Sequence, residues 1–373
     1  MTTHVGSLPR SSAVSDVVFG HEQGKAIDPK QFGSVIATGV RDVVARQAGA
    51  GIDLVSDGEQ SKISYATYIK DRLTGFDGDS PRSPPADLED YPNFLRRLAS
   101  GGGTPTYRRP RCIGPVAVKN MQPVADDIAR FGAALEGVAV VEPFMNAASP
   151  GVIALFQPND YYPSHEAYLL ALAEAIRHEY EAIVNAGFLL QIDSPDLGLG
   201  RHTLFKGRPL AEYERLAALH VEVLNEALRN CPADRLRMHV CWGNYEGPHH
   251  HDVPMSVVLP IAIRAKPLAL LFEAANPRHA HEWTVFREAR IPEDKILVPG
   301  VIDSVTNFIE HPELVAQRIE KFADIVGRER VIAGTDCGFS TFAGFGAVDP
   351  DIVYAKLAAL TEGARIASRR LWS

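Results

Sequence analysis

Nowhere in the 373 residues does an apolar run approach the roughly 18 residues of a membrane-spanning helix. That excludes a helical membrane protein. Positive charge is also in short supply: 38 Lys and Arg stand against 46 Asp and Glu, for a net charge of -8. The chain therefore has no general attraction for nucleic acid or for an anionic membrane surface. Its four Cys are too few for a disulfide framework in a chain of this size. The start, Met1-Thr2-Thr3-His4-Val5, has no basic stretch leading into an apolar one, so no signal peptide is expected and a reducing cytoplasm is the expected home. Internal repeats of short period and low-complexity segments are absent too.

What the chain has in quantity is alternation. Short β-rich runs exchange with longer stretches of helical periodicity. Thr3-His4-Val5 reads as a first strand, followed by a helix around Gly39 to Gly49. Ile52-Asp53-Leu54-Val55 then reads as a second strand. Two segments compete for the third, Cys112 to Val116 and Val138 to Val141. From His165 to Asn185 the spacing of Leu169, Leu172, Ile176 and Tyr180 predicts an amphipathic helix. Phe188 to Asp193 is a fourth strand, and a helix from Leu210 to Arg229 leads to a fifth at Met238. Runs at Leu268, Ile296 and Val331 complete the set, with a helix from Pro312 to Gly327 opening on a proline suited to a first turn. Strands alternating with helices argue a parallel α/β fold, and eight such units argue a (β/α)8 TIM barrel. Residues 1–373 are expected to form one domain, with a long loop or excursion at about 75–111. That excursion is marked by Ser80-Pro81-Arg82-Ser83-Pro84-Pro85 and Gly101-Gly102-Gly103.

The chemistry concentrates around Met238-His239-Val240-Cys241-Trp242. On a strand, His239 and Cys241 point to the same face, because side chains repeat every two residues. Glu273 and Cys337 end two later strand-like runs. One His, two Cys and one Glu would give a zinc ion a mixed nitrogen, sulfur and oxygen shell, although the residue types alone admit another thiophilic divalent metal. In a barrel of this kind catalytic groups lie at the C-terminal ends of strands. Ser7, Glu59, Asp193, His239, Cys241, Glu273, Asp303 and Cys337 fall there, on every strand except the third. Singly, Glu59 as a helix cap, Asp193 as a turn former or Cys337 as packed core would be ordinary. Jointly they read as a site.

In this order and at these strand ends, the short motifs resemble the catalytic C-terminal half of cobalamin-independent methionine synthase. They are Thr3-His4-Val5-Gly6-Ser7-Leu8-Pro9, Asp57-Gly58-Glu59, Gln191-Ile192-Asp193-Ser194-Pro195, His239-Val240-Cys241, Phe272-Glu273 and Thr335-Asp336-Cys337-Gly338. The resemblance runs over almost the whole chain. It implies a zinc-dependent enzyme that activates a thiol for S-alkylation, with Zn2+ held by His239, Cys241, Glu273 and Cys337. It also implies that the amino-acid end of homocysteine is held by Ser7, Glu59 and Asp193, which agrees with the residue chemistry. Two carboxylates suit an ammonium group, while a hydroxyl and backbone amides suit a carboxylate. Glu273 is the ligand expected to give way to an incoming sulfur, since a carboxylate oxygen yields more readily than a Cys thiolate.

The departures from the family bear on the alkyl donor. The full-length enzyme has an N-terminal barrel, and no counterpart of it is expected here. The family's general-acid His follows a strand-end Asp by two positions. Here Asp303-Ser304-Val305 puts Val in that place. The Trp that packs on the folate is not evident either. The expected reaction is therefore methyl transfer to homocysteine or a similar amino-acid thiol from a donor other than polyglutamylated folate, such as a methyl-corrinoid protein. Two alternatives stay open. One is an epoxyalkane:coenzyme M transferase, in which Arg10 or Lys62 would have to meet a sulfonate. The other is a zinc-stabilised barrel without catalysis. Among weaker features, His249-His250-His251 reads as a hydrogen-bonded loop, an accessory site or a source of the missing acid. Asn307 and His311 are further candidates for that acid. Asp160 to Pro163 and Trp242 either line a substrate mouth or pack, and Cys112 and Cys231 read as packed thiols.

Overall fold

A computed structural model describes residues 1–81, 84–100, 108–344 and 346–373. Seven parallel strands hydrogen-bond in chain order: β1 (Leu54–Ser56), β2 (Glu142–Ala148), β3 (Leu189–Asp193), β4 (Leu236–Val240), β5 (Ala269–Phe272), β6 (Ile296–Ile302) and β7 (Gly334–Thr335). The extended N-terminal segment fills the remaining gap. Leu54 N donates to Thr2 O at 3.0 Å on one side, and Thr3 N donates to Ala333 O at 2.8 Å on the other. The sheet so completed is the expected (β/α)8 barrel.

Each strand runs into helix, and the helix starts are chemically marked. Asp28 caps Pro29–Gly49, Ser164 caps His165–Asn185 and Asp349 caps Pro350–Leu371, each side chain accepting a first-turn backbone N–H. Proline opens Pro29–Gly49, Pro312–Val326 and Pro350–Leu371, where its missing N–H has no partner to lose. The His165–Asn185 helix buries Leu169, Leu172, Ile176, Tyr180 and Ile183. Removing such a side chain, as in Leu172→Ala, would cost about 2–5 kcal/mol. Among the described residues no helix is long and apolar enough to cross a membrane.

Two layers of the interior differ in kind. Between sheet and helices lies a large apolar core. Inside the barrel the apolar contacts are few: Val5, Leu271, Val298 and Ile332 form one cluster and Leu54, Phe144 and Leu189 another. The rest of the inner wall is polar. Arg237 on β4 is 3% exposed and donates to Thr3 Oγ1 and His4 O, both at 2.9 Å, with its guanidinium over the Phe144 ring. Residues 237, 239 and 241 thus form an inward column that rises to the C-terminal rim.

Several predicted boundaries need correction. The third barrel strand is neither Cys112–Val116 nor Val138–Val141 but Glu142–Ala148, which pairs with β1 and β3. The valines misled because Val141 is 62% exposed, while Phe144, Met145 and Asn146, which make no β-branched run, are buried. Cys112 instead pairs with Phe76 in a short antiparallel ribbon, Phe76–Asp77 with Arg111–Cys112. The helix expected around Gly39 to Gly49 begins at Pro29, and a helix at Ser12–Glu22 precedes it. In the predicted excursion, helices Ala86–Glu89 and Pro92–Ser100 form. Arg82, Ser83 and Gly101-Gly102-Gly103 lie outside the described residues.

Candidate metal and thiol site

The C-terminal rim gathers three soft donors. His239 lies on β4, Cys241 just beyond it and Cys337 two residues beyond β7. Their ligand atoms lie within 4.8 Å of one another, and all three residues are buried. Glu273, directly after β5, stands at the edge of this group. Its Oε1 is 3.7 Å from Cys337 Sγ and accepts from Trp242 N at 2.8 Å, while Oε2 accepts from Asn276 Nδ2 at 2.6 Å. The carboxylate is therefore aimed by two donors rather than left to rotate.

Outer contacts fix the donors. His239 Nε2 lies 3.8 Å from Cys337 Sγ and 3.2 Å from Asp336 O, and its Nδ1 lies 3.6 Å from Asp193 Oδ1. Burial opposes charge on this ring, but Cys241 and Asp193 hold its pKa up at about 9. Burial and the neighbouring Cys241 push the Cys337 thiol well above the ordinary thiol range. Two thiols, an imidazole and a carboxylate thus stand together in a buried group. Such a donor set fits a cation, which would relieve the crowding of negative charge.

Beside the donors is a cavity of about 250 Å³ whose wall includes Ser7, Glu59, Asp193, His239, Cys241 and Cys337. The sequence-predicted thiol and metal residues other than Glu273 thus meet there. Ser7 is delivered by Gly6, at φ +138°, where a Cβ would fall 2.2 Å from Asn146 Oδ1. Its Oγ accepts from Ser340 N at 3.4 Å. Glu59 follows Gly58 in a turn with a φ of +54°, rare for a residue with a side chain. It is 2% exposed, and its Oε2 has no hydrogen-bond partner. Burial raises its pKa to about 7, with Lys62 and Arg10 opposing and Asp193 reinforcing the shift. Asp193 accepts from Asn146 Nδ2 at 3.0 Å and Gln191 Nε2 at 2.9 Å. Tyr65, Phe156 and Phe342 supply apolar wall.

A second cavity, of about 350 Å³, lies on the other side of Cys337 and is lined by Glu273, Asn276, Asp303, Ser304 and His249. Asp303 accepts from Val305 N at 3.0 Å and Thr306 Oγ1 at 2.5 Å. Gly243, Asn244 and Tyr245 line both spaces.

Other predicted residues are occupied elsewhere. Arg10 donates to Ser340 O, Glu59 O and Lys62 O, and Lys62 Nζ donates to Asn146 O at 2.6 Å. His311 caps the Pro312–Val326 helix by accepting from Glu313 N, and Asn307 bonds Ala347 O and Asp349 N. Trp242 packs: it is fully buried, stacks on His279 at 4.1 Å and donates to Val253 O. Tyr162 bonds Val116 N and stacks on Tyr168 outside the cavity wall. Cys112 and Cys231 are buried away from the cluster.

Sequence reasoning did not single out the supporting shell. Asp336 accepts from Ala274 N, Ala275 N and Asn276 N at 2.8–2.9 Å, gripping the turn after Glu273. Asp252 binds His249 at 2.9 Å and His279 at 3.0 Å, and His279 reaches Glu282 at 2.7 Å. The only signal for Asp336 was its place beside Cys337.

Residues 151–350 match the family described as the cobalamin-independent synthase, catalytic domain. Over 99% of its length the chain is 24% identical to the methionine synthase of Saccharolobus solfataricus and 26% identical to that of Saccharolobus islandicus, spanning 95% of each. A B12-independent methionine synthase from Shewanella sp. W3-18-1, solved in complex with selenomethionine, superposes with a TM-score of 0.74 at 20% identity, covering 100% of this chain and 98% of that one. The putative vitamin-B12 independent methionine synthase of Listeria monocytogenes gives 0.69 at 20% identity, covering 99% and 97%. At that identity the structural likeness establishes the fold.

Proposed function

Because the chain belongs to the family of the cobalamin-independent synthase catalytic domain, we propose that it is a metal-dependent thiol methyltransferase acting on homocysteine or a closely similar amino-acid thiol. Residues 1–373 would act as one barrel unit. The observation that carries this reading is the shared cavity. Ser7, Glu59 and Asp193 line one space of about 250 Å³ together with His239, Cys241 and Cys337, and a small amino acid there would be in reach of both groups.

The polar end of the cavity favours an ammonium group. Glu59 Oε2 is buried without a partner, and Asp193 adds a second carboxylate. A cation with N–H donors would satisfy both at once, and charge-assisted bonds are the strong ones. Ser7 Oγ sits at the same end and can donate to a substrate carboxylate. Beside these groups His239, Cys241, Glu273 and Cys337 would hold a zinc ion, the metal whose borderline-soft character suits mixed nitrogen, sulfur and oxygen donors. When bound, zinc would favour the thiolate of the substrate over the thiol at neutral pH.

The protein's own groups do the rest. Asp193 orients the His239 ring from Nδ1, leaving Nε2, the nitrogen near Cys337, for the metal, and Trp242 N and Asn276 orient Glu273. Phe156, Tyr65 and Phe342 give the same cavity an apolar wall. The second cavity is where we place the methyl donor, one other than polyglutamylated folate and compatible with a methyl-corrinoid protein. Among its described lining residues one histidine, His249, can hold a proton for a leaving group. Burial works against its charge, but Asp252 holds its pKa up at about 9. The proton would come from Nε2, now 3.0 Å from Tyr245 O.

Coenzyme M is disfavoured as the thiol. Its sulfonate needs a cation, whereas Arg10 and Lys62 are bonded elsewhere and neither lines the cavity. A purely structural metal leaves the buried, unpartnered Glu59 carboxylate without a purpose.

Calorimetry of the zinc-loaded protein with L-homocysteine and, separately, coenzyme M, in two buffers of different protonation enthalpy, tests the reading. Homocysteine binding with a proton released is expected, with no comparable heat from coenzyme M. Binding of coenzyme M alone would overturn the amino-acid assignment, and silence from both would remove the alkyltransferase reading.

A further inference from the structure

The three adjacent histidines after β4 divide their work. His249 turns inward to Asp252 and Tyr245, and its φ of +52° bends the chain sharply at that point. Beyond the bend, His250 and His251 face one and the same group outside. His250 Nε2 lies 2.9 Å and His251 Nε2 2.6 Å from Asp90 Oδ2, with the two rings 4.2 Å apart. Neighbouring residues rarely aim two imidazoles at one atom, because successive side chains diverge in extended backbone. Here the ligand atoms of all three residues lie within 4.8 Å of one another. Tyr91 packs edge-on against His250 at 5.5 Å, which helps to fix that ring. Asp90, Tyr91, His250 and His251 line neither cavity described above.

We propose that Asp90, His250 and His251 form a second metal site, which binds a divalent transition ion of the imidazole-preferring class, with water completing the shell. Two neutral imidazoles and one carboxylate suit Zn2+, Ni2+, Co2+ or Cu2+, whereas Mg2+ and Ca2+ call for oxygen ligands throughout. The site is independent of the thiol reading, since it shares no residue with it.

Its position gives it a consequence. Asp90 ends the stretch Pro85–Asp90, and Asp87 in that stretch accepts from Tyr245 OH at 2.8 Å and from His249 N at 2.9 Å. Pro85 and Tyr245 both line the first cavity. An ion shared by Asp90, His250 and His251 therefore ties together two segments of the cavity rim that are distant in sequence, Pro85–Asp90 and 244–252. Filling the site stiffens the rim.

The test uses full-length protein without an affinity tag, loaded with one equivalent of Zn2+ and titrated with Ni2+ by calorimetry. A second equivalent is expected, together with slower hydrogen exchange over residues 244–252. His250→Ala with His251→Ala should weaken that second binding by about tenfold or more, while the first equivalent of zinc is retained. These side chains are 35% and 44% exposed, so the double variant should fold normally. Cys337→Ser should do the reverse, losing the first equivalent and keeping the second, so that the failure of one site is told apart from the failure of the other. Equal uptake by wild type and the double variant, or no second equivalent in wild type, overturns the proposal.

Discussion

Asp336 holds Asn276 twice, accepting from its backbone N–H at 2.8 Å and from its side-chain Nδ2 at 3.1 Å. Because Asn276 also donates to Glu273 Oε2 at 2.6 Å, the carboxylate proposed to touch the metal is aimed through a residue that touches none. Groups that orient metal ligands typically carry a factor of about 10–100 in affinity. Asp336→Asn should weaken zinc by about that factor in competition with a chromophoric chelator. An unchanged affinity would show that the turn after Glu273 needs no such grip.

The donor cluster itself makes a sharper demand. Cys241→Ser and Cys337→Ser should each lower bound zinc measured by atomic absorption and abolish methyl transfer, with the far-ultraviolet spectrum unchanged. His239→Gln should behave alike. Asp303→Asn should leave zinc in place, because among the described residues the Asp303 carboxylate bonds its own turn, Val305 N and Thr306 Oγ1, and the backbone of residue 303 is held by Glu310. Zinc retained in both cysteine variants would dismiss the cluster as a metal site.

Away from the rim, Arg72 bridges Glu179 at 2.6 Å and Asp127 at 2.7 Å, the three side chains being 6%, 2% and 4% exposed. Removing one partner strands buried charge, typically at a cost of about 3–5 kcal/mol. Arg72→Ala should lower the unfolding free energy in urea by that amount, whereas Arg46→Ala should cost under about 1 kcal/mol, since Arg46 pairs with a largely exposed Asp351. Equal losses would mean that burial is not what makes the Arg72 pairs matter.

How much of this was legible in the sequence follows from what each signal depends on. Helices such as His165–Asn185 announce themselves because a long apolar stripe is local information. The motif residues at strand ends were legible for the same reason: each sits just past an apolar run. The third barrel strand was not, because Glu142–Ala148 owes its burial to neighbours on both sides, β1 and β3, rather than to its own residues. Nor could Asp252, His279 and Glu282 be found, since their meaning lies in contacts between separate loops. The convergence of His250 and His251 on Asp90 depends on a single left-handed residue, His249, and no pattern in the sequence announces it.

Glu59 should make thiol binding depend on pH. Its pKa stands at about 7, raised above the ordinary carboxylate value by burial, with Asp193 and Asp57 adding to the rise and Lys62 and Arg10 opposing it. A raised carboxyl favours the folded state most below its unfolded pKa, and that contribution is lost as pH climbs to about 7. Ligand binding runs the other way. Only the ionised form attracts an ammonium group, so homocysteine affinity should strengthen as pH rises through about 7 and level off above it. Glu59→Gln should flatten that part of the profile and raise KM with little change in kcat. A profile identical in wild type and Glu59→Gln would detach Glu59 from the substrate.

The closest approach at the thiol site is between Gly338 and Ser7. A Cβ built on Gly338 would stand 2.0 Å from Ser7 Oγ, far inside van der Waals contact. Turning the hydroxyl to another rotamer would leave Ser7 Cβ, 3.2 Å from the added methyl, still crowded, and Ser7 O accepts from Phe339 N at 2.9 Å, which ties its backbone to the same turn. Gly338→Ala must therefore push the hydroxyl off its place in the cavity wall. Ser7→Ala removes the hydroxyl without moving anything. If Ser7 holds substrate through Oγ, both variants should raise KM for homocysteine, with Gly338→Ala the worse because it also shifts the turn next to Cys337. Weaker zinc binding in Gly338→Ala alone would trace its defect to Cys337, and a normal KM in Ser7→Ala would take the hydroxyl out of substrate binding.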